Sequence, residues 1–270
     1  MTQFCAPSHA TSIPPFKLHQ LILKPFSQKM LLTLLLVLVP NNCLLRSISS
    51  KCFLNSFLRF RPSIHVTIIP RRRIAWLVGC GLFDDSSTIS PPLLSLCYNV
   101  ASSLVADPEL SVCFAAASSL RSLVDGLCFS PELFIPFVSS SLSSLFGLIL
   151  SRAKELSTKL KLISVISVII QQCSDSIRSQ NLAPPCASAL LQLWISSSSS
   201  DHQTSDTSFR SQILECATFL IKSAGTALFP QISSSILLLI YQSMTCQQSD
   251  VLLDESLELW RAASVSYTHL

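Results

Sequence analysis

Four times along this chain a helix-length apolar stretch opens at a proline- or polar-marked boundary and is followed by a second such stretch. The first members of these pairs begin near residues 91, 131, 182 and 229, at intervals of 40, 51 and 47 residues. A recurrence of that size constrains the fold more than any other feature. Each unit is a helix-turn-helix pair whose apolar stripe is too wide for its partner alone to cover, so successive units must lean on one another in a row. The 47-residue interval contains a polar serine-rich stretch at residues 196–208, which lengthens it.

The boundaries carry local chemistry. Ser90-Pro91-Pro92 offers a serine cap and a proline whose missing N–H has no helical partner to lose. Asp107-Pro108-Glu109 predicts a second start, with a capping aspartate, a first-turn proline and an acid at the positive end of the helix dipole. Val112, Ala116, Leu120 and Leu123 then follow at steps of four, four and three, one face of a helix, and Gly126 is expected to close it. Ser130-Pro131-Glu132 repeats the opening. The spacing predicts helix pairs at about 91–125, 131–173, 182–224 and 229–261, preceded by one short helix over Arg71 to Gly79. In the third pair, Phe209, Ile213, Cys216, Ala217, Leu220 and Ile221 share a face that ends at Gly225. In the fourth, Leu253, Leu257 and Trp260 do. Residues 160–170 are apolar nearly all round, as expected of a helix sandwiched between neighbours. The fold class expected is all-α, an α-solenoid of helical hairpins.

Composition agrees. Hydrophobic residues make up 49% and charged residues 13%, which supplies a core and excludes a disordered chain. Five glycines in 270 residues are few for the turns of a sheet-rich fold. Residues 1–70 hold seven Lys/Arg and no acid, a charge of +7, whereas residues 71–270 hold 12 Lys/Arg against 15 Asp/Glu, a charge of −3. An acidic repeat region argues against a nucleic-acid partner. Residues 1–65 have no clean period and form an atypical segment, expected to be disordered or not genuine coding sequence. Its apolar run at 30–39 fits the core of a signal sequence, and its lack of acids fits a transit peptide. Translated non-coding sequence ahead of a real exon is a third reading. Residues 264–270 fit nothing in the repeat, and Ser266-Tyr267-Thr268-His269-Leu270 resembles translated sequencing-adapter sequence.

No catalytic, cofactor or metal site is expected. The eleven cysteines contain no C-x-x-C, and Cys97, Cys113, Cys173 and Cys216 sit within apolar helical patterns, as small buried hydrophobes in a reducing compartment would. His202 beside Asp201 in the serine-rich stretch reads as solvated surface rather than an acid–base pair. No nucleophile elbow, P-loop or dinucleotide-binding glycine pattern is present. Asp84-Asp85 and Asp254-Glu255 read as inter-helix and first-turn charge before they read as metal ligands or contacts to a partner. Cys80, between Gly79 and Gly81, reads as a buried helix-end thiol rather than a reactive one. Arg71 to Arg73 reads as a solvated or inter-repeat run rather than a localisation signal. Trp76, Trp194 and Trp260 are expected in the core rather than as peptide-binding hot spots. A membrane reading rests on residues 133–151, 19 residues without a charge, close to the about 20 that a span needs. The six serines and Pro136 in that stretch favour a buried helix with a polar strip, and no membrane insertion is expected.

The block Asp107-Pro108-Glu109-Leu110-Ser111-Val112, followed by Ala115-Ala116 and Leu120, resembles the HEAT signature, with Asp107, Pro108, Val112, Ala116 and Leu120 as its structural positions. The arginine usual after the valine is Cys113 here, which implies the loss of one ladder contact between repeats. Arg71-Arg72-Arg73-Ile74-Ala75-Trp76-Leu77-Val78-Gly79 and Asp254-Glu255-Ser256-Leu257-Glu258-Leu259-Trp260 resemble motifs of importin-eleven-type receptors in the importin-beta (karyopherin) superfamily, with Trp76 and Trp260 as repeat positions. The resemblance covers about residues 66–263. It implies a nuclear transport receptor that carries protein cargo through the pore, meets nuclear pore proteins, and occurs in cytoplasm, nucleus and nuclear envelope. It also implies that the Ran GTPase acts through N-terminal repeats that this sequence lacks, so the chain would be an internal fragment. The cargo-binding residues do not transfer, because the matching motifs are structural. A HEAT scaffold of another assembly and, further off, a polytopic membrane protein are the alternatives.

Overall fold

The described part of the chain begins with a helix that carries three arginines, α1 (Ile68–Cys80), and every regular element after it is also helical. The elements are α2 (Pro91–Val105), α3 (Leu110–Val124), α4 (Pro131–Ser151), α5 (Leu156–Gln172), α6 (Ser174–Ser179), α7 (Ala183–Ser197), α8 (Asp206–Thr245) and α9 (Leu253–Thr268). This computed structural model describes residues 68–80, 91–197, 206–246 and 249–268, all within one compact unit, Pro62–Leu270. Among the described residues there is no strand, and the fold is all-α. The segment 1–65, Asp84-Asp85, Gly81 and the Asp201-His202 pair lie outside the described residues, as does the side chain of Cys80.

Two series of helix contacts run through the unit. In one, α1 packs on α3, α3 on α5, α5 on α8 and α8 on α9. In the other, α2 packs on α4 and α4 on α7. The pairs α2/α3, α4/α5 and α7/α8 join the two series. The expected face of α3 is wholly inward: Val112, Ala116 and Leu120 are fully buried, and Leu123 nearly so. The α5 helix buries Leu162, Ile163, Val165, Ile166, Ile169 and Ile170, because α3, α4 and α8 all lie against it.

Serine hydroxyls punctuate these apolar contacts. Ser141 of α4 donates to the Ser102 hydroxyl of α2 at 2.9 Å, and both are buried. Ser119 of α3 donates to the Ala75 carbonyl of α1 at 2.5 Å, and Ser223 of α8 to the Ile170 carbonyl of α5 at 2.9 Å. Ser256 of α9 donates to the Ser243 hydroxyl of α8 at 2.9 Å. Each hydroxyl is satisfied, so its burial adds no orphan polar group to the core.

Several expected boundaries move. Gly126 does follow α3, but its φ is not positive. The Asp125 N–H closes the helix onto the Arg121 carbonyl instead, so no left-handed residue is needed there. Gly225, by contrast, has φ 66° and ψ −175°, a conformation that essentially only glycine reaches. It breaks α8 into the two helices expected on either side of it. The short α6 was not expected from the periodicity, since six residues carry too little pattern. The α9 helix continues five residues past Ala263, because Leu259, Ala263 and Ser266 keep one inward stripe at steps of four and three. Residues 264–268 therefore extend the last helix rather than leaving it.

Gly79 marks the closest approach. A Cβ built on it would lie 2.5 Å from the Ser119 hydroxyl and 2.6 Å from the Ser119 Cα. Only a glycine lets α1 and α3 sit at this distance.

Candidate functional site

The residues of the Asp107-Pro108-Glu109 block form the best-connected polar junction among the described residues. Asp107 is buried, and its oxygens are all engaged. Oδ2 accepts from Arg71 Nη1 of α1 at 2.7 Å, and Oδ1 accepts from the Glu109 N–H at 2.8 Å. The Asp107 carbonyl accepts from Arg152 Nη1 at 2.8 Å and from the Cys113 thiol at 2.9 Å. Arg152, the residue that ends α4, also donates to the Pro108 carbonyl through Nη2. Charge-assisted bonds of this kind are roughly twice as strong as neutral ones. The Asp107 carboxylate thus ties α1 to the α2–α3 connection, and the backbone carbonyls of Asp107 and Pro108 tie that connection to the end of α4.

The expectation for this block is corrected in detail. Helix α3 starts at Leu110, so Glu109 occupies the cap position, makes no side-chain cap bond, and Pro108 lies ahead of the first turn. Asp107 serves the turn by accepting an N–H two residues on, a local alternative to capping. Arg152 and Arg71 bring guanidinium groups to the same backbone corner, and Arg152 reaches the Cys113 sulfur at 3.5 Å. Arg71 alone of the three arginines turns to a neighbour in this way; Arg72 and Arg73 are exposed.

The tryptophans separate. Trp194 is buried on α7, and the buried Arg210 guanidinium lies 5.2 Å from its ring centroid while Arg210 Nε donates to Ser197 at 3.2 Å. Nothing in the periodicity singled out Arg210. Its only signal is a cation set directly after Phe209 in an apolar run. Trp76 and Trp260, expected in the core, are instead 57% and 49% exposed. Trp76 sits opposite the face of α1 formed by Ile74, Ala75 and Val78, which meets the rest of the unit. Trp260 shares a face with Leu253 and Leu257, as expected, but that face points outward and each of the two leucines is 48% exposed. The inward face of α9 is Ser256, Leu259, Ala263 and Ser266.

Chemistry elsewhere is sparse. The first-turn acids of α9 divide: Glu255 accepts from Ser211 of α8 at 2.7 Å, and Asp254 is exposed. Among the described residues no three His, Cys, Asp or Glu side chains converge as metal ligands would. Burial pushes the Cys97, Cys173, Cys186 and Cys216 thiols up to about 12, so they stay protonated and unreactive at neutral pH. Burial also raises the Cys113 thiol, against the opposing pull of the Arg152 charge. Cys128 is exposed. Among the described residues two helices are long and apolar enough to cross a membrane, α4 and α8. The break at Gly225 divides α8, and the exposed face of α4 carries Glu132, Ser139, Ser140 and Ser143. Comparison with protein-family models, curated proteins and solved structures gives no match for this chain.

Proposed function

We propose that residues 66–263 are a HEAT-type α-solenoid and serve as a segment of a nuclear transport receptor of the importin-beta superfamily, binding protein rather than catalysing a reaction. The observation that supports the solenoid is the order of helix contacts, in which the pairs α2/α3 and α4/α5 each lean on the next pair through both members. A continuous core then grows along one axis, and the outer surfaces remain free for extended contacts with a partner. The Asp107 junction supports the same reading, since it links consecutive units at the block that resembles the HEAT signature. The transport role rests on the resemblance of the blocks at 71–79 and 254–260 alone, and cargo would meet exposed side chains such as Trp76.

The test uses a receptor that contains this segment. It is expected to capture the GTP-loaded Ran GTPase in preference to the GDP-loaded form, and to release protein cargo when the GTP form binds. Equal capture of both forms counts against transport and leaves a HEAT scaffold of another assembly. The serine-lined outer face of α4 favours both over a membrane-spanning chain.

A further inference from the structure

Charge is sorted along one series of helix contacts. Helices α1, α3 and α5, which pack in succession, carry six Lys/Arg and no Asp or Glu within their bounds. Farther along the series the balance reverses, and α8 and α9 hold five acids against three bases. Four of the six cations, Arg72, Arg73, Arg121 and Lys161, are exposed and form no ion pair among the described residues. Arg121 and Lys161 come together where α3 meets α5. Arg121 Nη1 reaches across to the Ser164 hydroxyl at 2.9 Å rather than turning to Asp125, four residues on. Ser164 in turn donates to the Lys161 carbonyl at 2.8 Å, one turn back on the same face of α5. On the neighbouring α1, Trp76 follows Arg72 by one turn and is 57% exposed.

We infer that this face binds an acidic segment of a protein partner, with carboxylates on Arg72, Arg121 and Lys161 and an apolar or aromatic side chain over Trp76. Charge complementarity commits the face to that occupant. Helix axes in contact lie about 8–10 Å apart, and an extended chain advances about 3.3 Å per residue. Acids three residues apart therefore fall on successive helices, where arginine forks take carboxylates in a bidentate manner. A nucleic acid fits less well, because it is charged along its whole length and the acids of α8 and α9 repel it. This chain's own residues 1–70, with seven Lys/Arg and no acid, carry the wrong sign. Such docking presupposes a protein-binding role, but it involves neither a GTPase nor cargo release.

Fluorescence anisotropy of a labelled Glu/Asp peptide with one central Phe, titrated with the full chain, tests the assignment. The peptide is expected to bind, to weaken as salt rises, and to bind more tightly than single-stranded DNA of equal charge. Arg121→Glu combined with Lys161→Glu is expected to weaken it by about tenfold or more, and Trp76→Ala by about threefold, with helical circular dichroism unchanged. Arg178→Glu combined with Arg261→Glu changes the net charge equally but away from this face, and is expected to alter binding by less than about twofold. No binding, tighter capture of the DNA, equal losses from the two charge-reversed pairs, or a Trp76→Ala chain that binds as tightly as the unaltered one overturns the inference. Ran plays no part in the measurement, so failure here and failure of the transport reading are separate results.

Discussion

Helices α5 and α9 differ less in the spacing of their apolar residues than in what surrounds them. Helices α3, α4 and α8 lie against α5 and the short α6 touches it as well, and it buries apolar side chains over most of its circumference. The α9 helix packs on α8 and buries one narrow stripe that includes two serines, while Leu253, Leu257 and Trp260 remain half exposed. Periodicity reports that a helix has an apolar face. It does not report how many neighbours arrive to cover it. The cost of a substitution is therefore set by how many helices lie against the residue, and the contrast can be broken or sharpened by measurement.

The largest effect is expected in α5. Ile166 is fully buried, and Ile166→Ala should lower stability by about 2–5 kcal/mol in urea unfolding. A loss below about 1 kcal/mol would mean that α5 is no better covered than α9. Next comes the α1–α3 contact: Gly79→Ala should cost about 1–3 kcal/mol through overpacking against Ser119. At the junction between units, Asp107→Ala removes the Arg71 pair and the Glu109 N–H acceptor together, and should cost about 2 kcal/mol. Leu257→Ala in α9 should cost less than about 1 kcal/mol, and a larger loss would show that this face is covered after all.

A change of pH probes the same contrast, because the four thiols held at about 12 lie in α2, α7 and α8 and at the end of α5, whereas α9 has none. In the unfolded chain these thiols return toward their ordinary value of 9.0. Their folded values are raised, so their contribution is fully present below pH 9 and is lost as pH climbs from 9 toward 12. The urea midpoint should fall over that range, and replacing Cys97 and Cys186 with alanine should flatten the fall.

Much of the helical framework was legible from the residues. Proline at the head of α4 and the face Val112, Ala116, Leu120 and Leu123 are local signals, and local signals survive folding. The partners were not legible. Arg152 meets Asp107 across 45 positions of chain, and Ser119 meets Ala75 across 44. No short-range pattern encodes such distances. The exposure of Trp76 and Trp260 is invisible to the sequence for the same reason, since an aromatic on an apolar face is buried only if another element comes to meet it.

The hydroxyl bonds between neighbouring helices have a consequence for alignment. Two smooth apolar faces can slide past each other by one turn, about 5.4 Å, at little cost. Here such a slip would strand the Ser102 and Ser141 hydroxyls in a dry interior, with the desolvation penalty unpaid on both. The serines thus act as locating pins that reject offset packings, so neighbouring greasy helices settle on a single setting.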